Sequence, residues 1–191
     1  MKQNDIQAII FDCFGVLRPD ILLATYRKFG GDTEKDAQFI HDTMLAANRG
    51  IIPSSREVYA EHLGITVEEW ITAFDGPEND QELLDYILTL RPKYKVGLLS
   101  NAGKGRMTEL FGDDELQRHF DAVVVSGEIG YAKPEAQAYE IVADRLGVRL
   151  DECVFTDDRE EYIEGARSVG MQAILYKDFA QFRGELEMLL S

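Results

Sequence analysis

Consecutive apolar residues gather in five short runs: Ala8-Ile9-Ile10-Phe11, Val96-Gly97-Leu98-Leu99, Ala122-Val123-Val124-Val125, Cys153-Val154-Phe155 and Ala173-Ile174-Leu175. Unbroken apolar runs of this length, without polar alternation, predict strands buried on both faces. Between the later runs the apolar positions recur at helical spacing: Leu83, Leu84, Ile87 and Leu88; Ala138, Ile141, Val142 and Leu146; Ile163, Ala166 and Val169. Pro134 suits a first helical position, and Gly147 and Gly170 suit residues that stop a helix. Strands alternating with helices predict an α/β fold with a doubly wound, parallel five-stranded sheet. Residues 20–75 break the alternation. They hold no strand-like run and show helical spacing in Leu22, Tyr26 and Phe29 and again in Ala37, Ile40, Met44 and Ala47, which predicts a helical insertion after the first strand. Gly76-Pro77, followed by Glu78-Asn79-Asp80, marks the return to the sheet. The expected division is a sheet domain of residues 1–18 and 77–191 and a helical domain of residues 19–76.

Charge narrows the partners. The chain of 191 residues carries 35 acidic against 20 basic side chains, and a net charge of −15 opposes approach to nucleic acid and to anionic membrane surfaces. No apolar run approaches the ~18 residues that span a bilayer. The opening Met1-Lys2-Gln3-Asn4-Asp5 lacks an apolar leader, so a cytoplasmic protein is expected. Cys13 and Cys153 form no metal-binding or redox spacing and fall at opposite ends of their strands, too far apart for a disulfide. His41, His62 and His119 follow no ligand or triad spacing and read as solvated helix residues. A homodimer is one assembly the sequence permits.

Ligands in open α/β sheets sit beyond the carboxyl ends of the strands. There the chain places Asp12, Ser100-Asn101, the segment Gly130-Tyr131-Ala132-Lys133-Pro134, and Asp157-Asp158. Three carboxylates brought close repel one another unless they are protonated or share a hard cation, and oxygen ligands suit Mg²⁺. Ser100, Asn101 and the amides that follow would hold phosphate oxygens, with Lys133 neutralising charge on the phosphate and on Asp12. Gly103-Lys104-Gly105 lacks the rest of a P-loop or dinucleotide fingerprint, and Leu98-Leu99-Ser100-Asn101-Ala102 is no serine-hydrolase elbow.

Taken in order, Ile9-Ile10-Phe11-Asp12-Cys13-Phe14-Gly15-Val16-Leu17, Ser100, Val123 through Glu135, and Asp157-Asp158 resemble the four blocks of the haloacid dehalogenase superfamily, most of whose members are phosphatases. The resemblance implies a Rossmann-like core, a helical C1 cap formed by the insertion, and a small phosphorylated metabolite as substrate. By it, Asp12 is the nucleophile that forms an aspartyl-phosphate, Ser100 binds phosphate and Lys133 stabilises charge. Mg²⁺ would be held by Asp12, Asp157, Asp158 and the main-chain carbonyl of Phe14. Arg18, Asn48 and Arg49 are candidate substrate contacts on the flap and cap.

Three positions depart from the pattern. Phe14 stands where these phosphatases carry a second Asp that acts as general acid and base, a contribution of roughly 10²–10⁴-fold in rate. Tyr162 stands where Asp or Asn is common, and Arg159 where a small polar residue is common, with Glu160 and Glu161 as substitutes near the metal. Two other readings follow: a catalytically impaired member that binds a ligand or protein partner, and a metal-independent 2-haloacid dehalogenase. The family dehalogenases characteristically lack the acidic pair that Asp157-Asp158 supplies.

Overall fold

The structure, a computed structural model, describes residues 5–74 and 78–191, so the predicted Gly76-Pro77 boundary lies outside the described residues. In chain order the elements are β1 (Ala8–Phe11), α1 (Leu22–Lys28), α2 (Ala37–Asn48), α3 (Arg56–Leu63), α4 (Val67–Phe74), α5 (Gln81–Leu90) and β2 (Lys95–Ser100). Then follow α6 (Arg106–Phe111), α7 (Asp113–His119), β3 (Ala122–Val125), α8 (Ser126–Ile129), α9 (Ala136–Leu146), β4 (Cys153–Asp157), α10 (Glu160–Ser168), β5 (Gln172–Leu175) and α11 (Phe179–Leu189). All five apolar runs are strands of one parallel sheet, ordered β3-β2-β1-β4-β5.

The central strand explains why these runs carry no polar positions. Alternate residues of a strand face opposite sides of a sheet. Ile9 and Phe11 of β1 enter a cluster with Leu83 and Ile87 of α5 and Phe182 and Leu186 of α11. Ala8 and Ile10 enter a second cluster with Tyr139 and Val142 of α9 and Ile163 and Ala166 of α10. Helices therefore cover both faces, and every residue of β1 is buried. Gly147, with φ +71°, ends α9 in the left-handed region as expected.

Two local expectations are corrected. Pro134 is not the first residue of a helix: Lys133-Pro134 is a cis peptide bond, and Glu135 is extended (φ −64°, ψ 133°), so α9 begins at Ala136. His119 is not solvated. It lies 1% exposed at the end of α7, where Nδ1 donates to the Glu115 carbonyl at 2.8 Å and the ring packs beside Phe120.

The insertion between β1 and α5 contains α1 to α4 and has its own apolar cluster, built on Tyr26, Ile40, Tyr59, Ala60 and Trp70. The Tyr59 and Trp70 rings pack at a tilt of 37° with centroids 5.2 Å apart, and the Tyr59 hydroxyl donates to the Ile40 carbonyl at 3.0 Å, which ties α3 to α2.

Ile10 tests the two-sided core. Ile10→Ala should lower the unfolding free energy by about 2–5 kcal/mol, because the site is closed between flanking strands and α9 and cannot refill. Urea titration followed by circular dichroism measures it; a loss below about 1 kcal/mol would show that this face of β1 is not tightly packed.

Candidate active site

The strand ends bring the sequence-predicted residues together. Asp12 follows β1, and its N–H donates to the Thr156 carbonyl at 2.9 Å, which prolongs the β1–β4 ladder and sets Asp12 beside Asp157. One ammonium bridges the two: Lys133 Nζ lies 2.5 Å from Asp12 Oδ1 and 2.5 Å from Asp157 Oδ2, and Lys133 is only 3% exposed. Asp157 also accepts from the Arg159 N–H through Oδ1 at 3.0 Å. Asp158 points outward, yet one oxygen of each of Asp12, Asp157 and Asp158 lies within 4.8 Å of the others. Gly15 makes room for this: at φ +93° it is in the left-handed region, and a Cβ there would overlap the Asp158 carboxylate.

Lys133 is fixed from several sides. The Asn101 side chain accepts the Lys133 N–H at 2.9 Å and donates to the Lys133 carbonyl at 2.9 Å. The Phe155 and Tyr162 rings lie 5.3 and 5.0 Å from Nζ, within cation–π range. Asn101, expected to hold phosphate, has its amide side chain committed to the Lys133 backbone and acts as a clamp. The amide of Ala102 is likewise taken, by Ser126 Oγ at 3.1 Å, while the Gly127 N–H returns a bond to the Ala102 carbonyl at 3.0 Å. Ser100 differs. It is fully buried at the end of β2, and its Oγ has no hydrogen-bond partner among the described residues.

The electrostatics follow from burial. Loss of water pushes the Asp12 carboxyl up to about 7, against the pull of Lys133 and with a further push from Asp157. Burial opposes the Lys133 ammonium, but the two carboxylates prevail and hold it above the ordinary lysine range. Partial burial and then Asp157 raise Asp158. Burial also pushes the Cys13 thiol up, with Asp12 beside it, so Cys13 is a packed side chain and no nucleophile.

Beyond Asp12 and Lys133 opens a cavity of about 260 Å³, walled on one side by the loops after β1, β2 and β4 and on the other by the helical insertion. Phe14, Asp20 and Asn48 line it, and so do Trp70, Phe74, Arg56, Arg106 and Glu109, which sequence reasoning did not single out. Their spacing carries no chemical pattern; only the closing of the insertion onto the core assembles them. Arg49 is not among the lining residues: it pairs with Glu135 at 3.1 Å, from the end of α2 to the segment that carries Lys133. Arg18 is buried and donates to Asn79 Oδ1 at 3.3 Å. Glu160 and Glu161 pair with Arg167 and Arg159, at 3.7 and 2.5 Å, and stay outside the carboxylate cluster. Tyr162 supplies a ring instead of a carboxylate or amide, under Lys133 Nζ and 4.6 Å from the Arg159 guanidinium.

A parallel α/β sheet with a lysine-bridged aspartate pair at its strand ends defines a class, and comparison with known proteins identifies it. Residues 6–170 match the family model of haloacid dehalogenase-like hydrolases, and the chain belongs to that family. Over 97% of its length it is 27% identical to 99% of D-ribitol-5-phosphate phosphatase from Bacteroides thetaiotaomicron. A stretch of 73 residues, 38% of this chain, is 42% identical to bifunctional epoxide hydrolase 2 of Rattus norvegicus but spans only 13% of that protein. Among solved structures, a wild-type HAD family enzyme of Bacteroides thetaiotaomicron in complex with magnesium and inorganic phosphate has the same fold (TM-score 0.74, 22% identity, 93% of this chain and 98% of that one). Among the described residues, no helix is long and apolar enough to cross a membrane.

Removing the bridging ammonium tests the corner. In chelator, Lys133→Met should cost about 3–5 kcal/mol near neutral pH, since it leaves Asp12 and Asp157 buried and facing one another. That loss should shrink as pH falls. The variant's folded state then binds more protons than the unfolded chain, whose carboxylates titrate near 4, so its stability rises toward low pH. Denaturant melts across that range check the sign; a pH-independent loss would mean that the two carboxylates do not face each other.

Proposed function

We propose that the protein is a Mg²⁺-dependent phosphatase acting on a small phosphorylated metabolite through an aspartyl-phosphate at Asp12. The observation that carries this reading is the fully buried Ser100 Oγ, without a partner among the described residues at the strand end next to Asp12. A buried hydroxyl is costly to leave unbonded, and a phosphate oxygen is the acceptor that suits it. The donor set fits the metal. Three carboxylate oxygens within 4.8 Å, against one ammonium, leave a surplus of negative charge and only hard ligands. Asp12, Asp157, Asp158 and the Phe14 carbonyl would hold Mg²⁺. When bound, the ion would neutralise charge on the phosphoryl oxygens.

The side chains divide the work. Lys133 holds Asp12 Oδ1 and leaves Oδ2 to attack phosphorus. The P–O bond to the leaving group breaks as the bond to Oδ2 forms, and Lys133 and Ser100 bind the phosphoryl oxygens. Water then attacks phosphorus, releasing inorganic phosphate and the Asp12 carboxylate. Phe14 cannot protonate the leaving oxygen, so that proton comes from water or from a cavity carboxyl such as Asp20. Residues 19–76 form the cap and residues 1–18 and 77–191 the core; the separate apolar cluster of α1 to α4 supports this division, and the ion pairs Arg49–Glu135 and Arg56–Glu109 join the two.

A panel of phosphate monoesters assayed with Mg²⁺ and with EDTA tests the reading. Turnover should require the metal and fall by at least about 10³-fold in Asp12→Asn; activity indifferent to that substitution sinks the mechanism. In Phe14→Asp, turnover of alkyl esters should rise by about 10²-fold, the low end of what a positioned proton donor contributes. No rise, in a folded variant, would mean that another group already supplies the proton.

A further inference from the structure

Polar and apolar residues meet in the cavity wall, but they differ in what they have left to offer a ligand. Several polar side chains of the wall are already engaged. Ser54 Oγ accepts the Arg56 N–H at 3.0 Å, Glu57 takes a hydrogen bond from the Ser54 hydroxyl, and Arg56 pairs with Glu109. At these positions a substrate hydroxyl would have to break a bond to make its own. The apolar residues are different. Phe14, Leu22, Met44 and Phe74 are each only partly buried, and all four line the cavity.

The aromatic members form a continuous surface. Phe14 and Phe74 lie with centroids 6.3 Å apart at 33°, and Phe74 stacks on Trp70 at 5.9 Å and 21°. Phe14 is two residues from Asp12, so this surface begins where a bound phosphoryl group would end. Arg106, 5.4 Å from the Phe74 centroid, holds that ring from the core side. An apolar ring entering the cavity would bury exposed apolar area on both partners without displacing a hydrogen bond.

From this arrangement we infer that the protein's substrate is a phosphate monoester with an aromatic or arylalkyl body seated against Phe14 and Phe74, and not a polyol phosphate. The inference rests on the phosphatase reading for the phosphate end and departs from the polyol ester named for the Bacteroides relative.

Calorimetry with non-hydrolysable analogues separates the two. In the presence of Mg²⁺, the full-length protein should bind 2-phenylethylphosphonate at least about tenfold more tightly than 2,3-dihydroxypropylphosphonate, as burial of one ring implies. Phe74→Ser should erase most of that preference. If circular dichroism shows Phe74→Ser unfolded, Met44→Gln on the same wall should reduce the preference in its place. Equal binding, tighter binding of the diol, or no binding of either compound overturns the inference. The corresponding phosphate esters, assayed in parallel, report on the phosphatase reading separately. Tight aryl binding without turnover would overturn that reading and keep the aromatic seat, whereas turnover with a preference for the diol ester would do the reverse.

Discussion

A lysine ammonium withdrawn from water between two aspartates is the constraint around which the rest of the site is arranged. Burying a single charge costs several kcal/mol, and the cost is met only when the geometry of its partners is close to ideal. Lys133 has both Asp12 and Asp157 at 2.5 Å, on strands that must therefore end side by side. The sheet supplies that adjacency through the β1–β4 pairing, with Phe11 opposite Thr156. The lysine comes from a third segment, which Asn101 grips by both backbone groups from the end of β2. Four stretches far apart in sequence are thereby fixed by one charge.

Phe14 reads differently once the corner is seen whole. A carboxyl two residues after Asp12 would add a fourth acidic group to a cluster already holding three within 4.8 Å. The phenyl ring adds no charge and joins Phe74, connecting the loop after β1 to the last helix of the insertion. A ring here, which can carry no proton, thus makes an apolar contact between the two sides of the cavity. Tyr162 likewise works through its ring, offering a face to Lys133 and Arg159.

The strands and their terminal residues were legible because burial on both faces leaves an unmistakable apolar run and because each run ends in a polar residue with nothing else to do. Asp12, Ser100, Asp157 and Asp158 stand out as candidates that way, Lys133 through the segment that follows the third run, and β1 and β3 have the predicted limits. What failed to show depended on contacts between distant segments. Arg49 looked like a substrate contact until its partner Glu135, 86 positions away, came into view. His119 shares its face of a largely polar α7 with Leu116 alone, and its burial comes from packing. Arg56, Phe74 and Arg106 acquire a common surface only when the insertion lies on the core, and no periodicity encodes that.

The acidity of the chain poses a last question of approach. A phosphate monoester is itself an anion, and a surface of net charge −15 repels it. The cavity softens that balance locally: Arg56, Lys104, Arg106, Lys133 and Arg159 line it against Asp12, Asp20, Glu57 and Glu109, with Asp157 and Asp158 beside Asp12 at its end. Charges that nearly balance inside a strongly anionic molecule spare a small anion, once it has entered, the repulsion it meets at the surface. On the proposed phosphatase reading, this is the charge a small phosphate would meet on its way to Asp12, with the carboxylate corner at the end left for Mg²⁺.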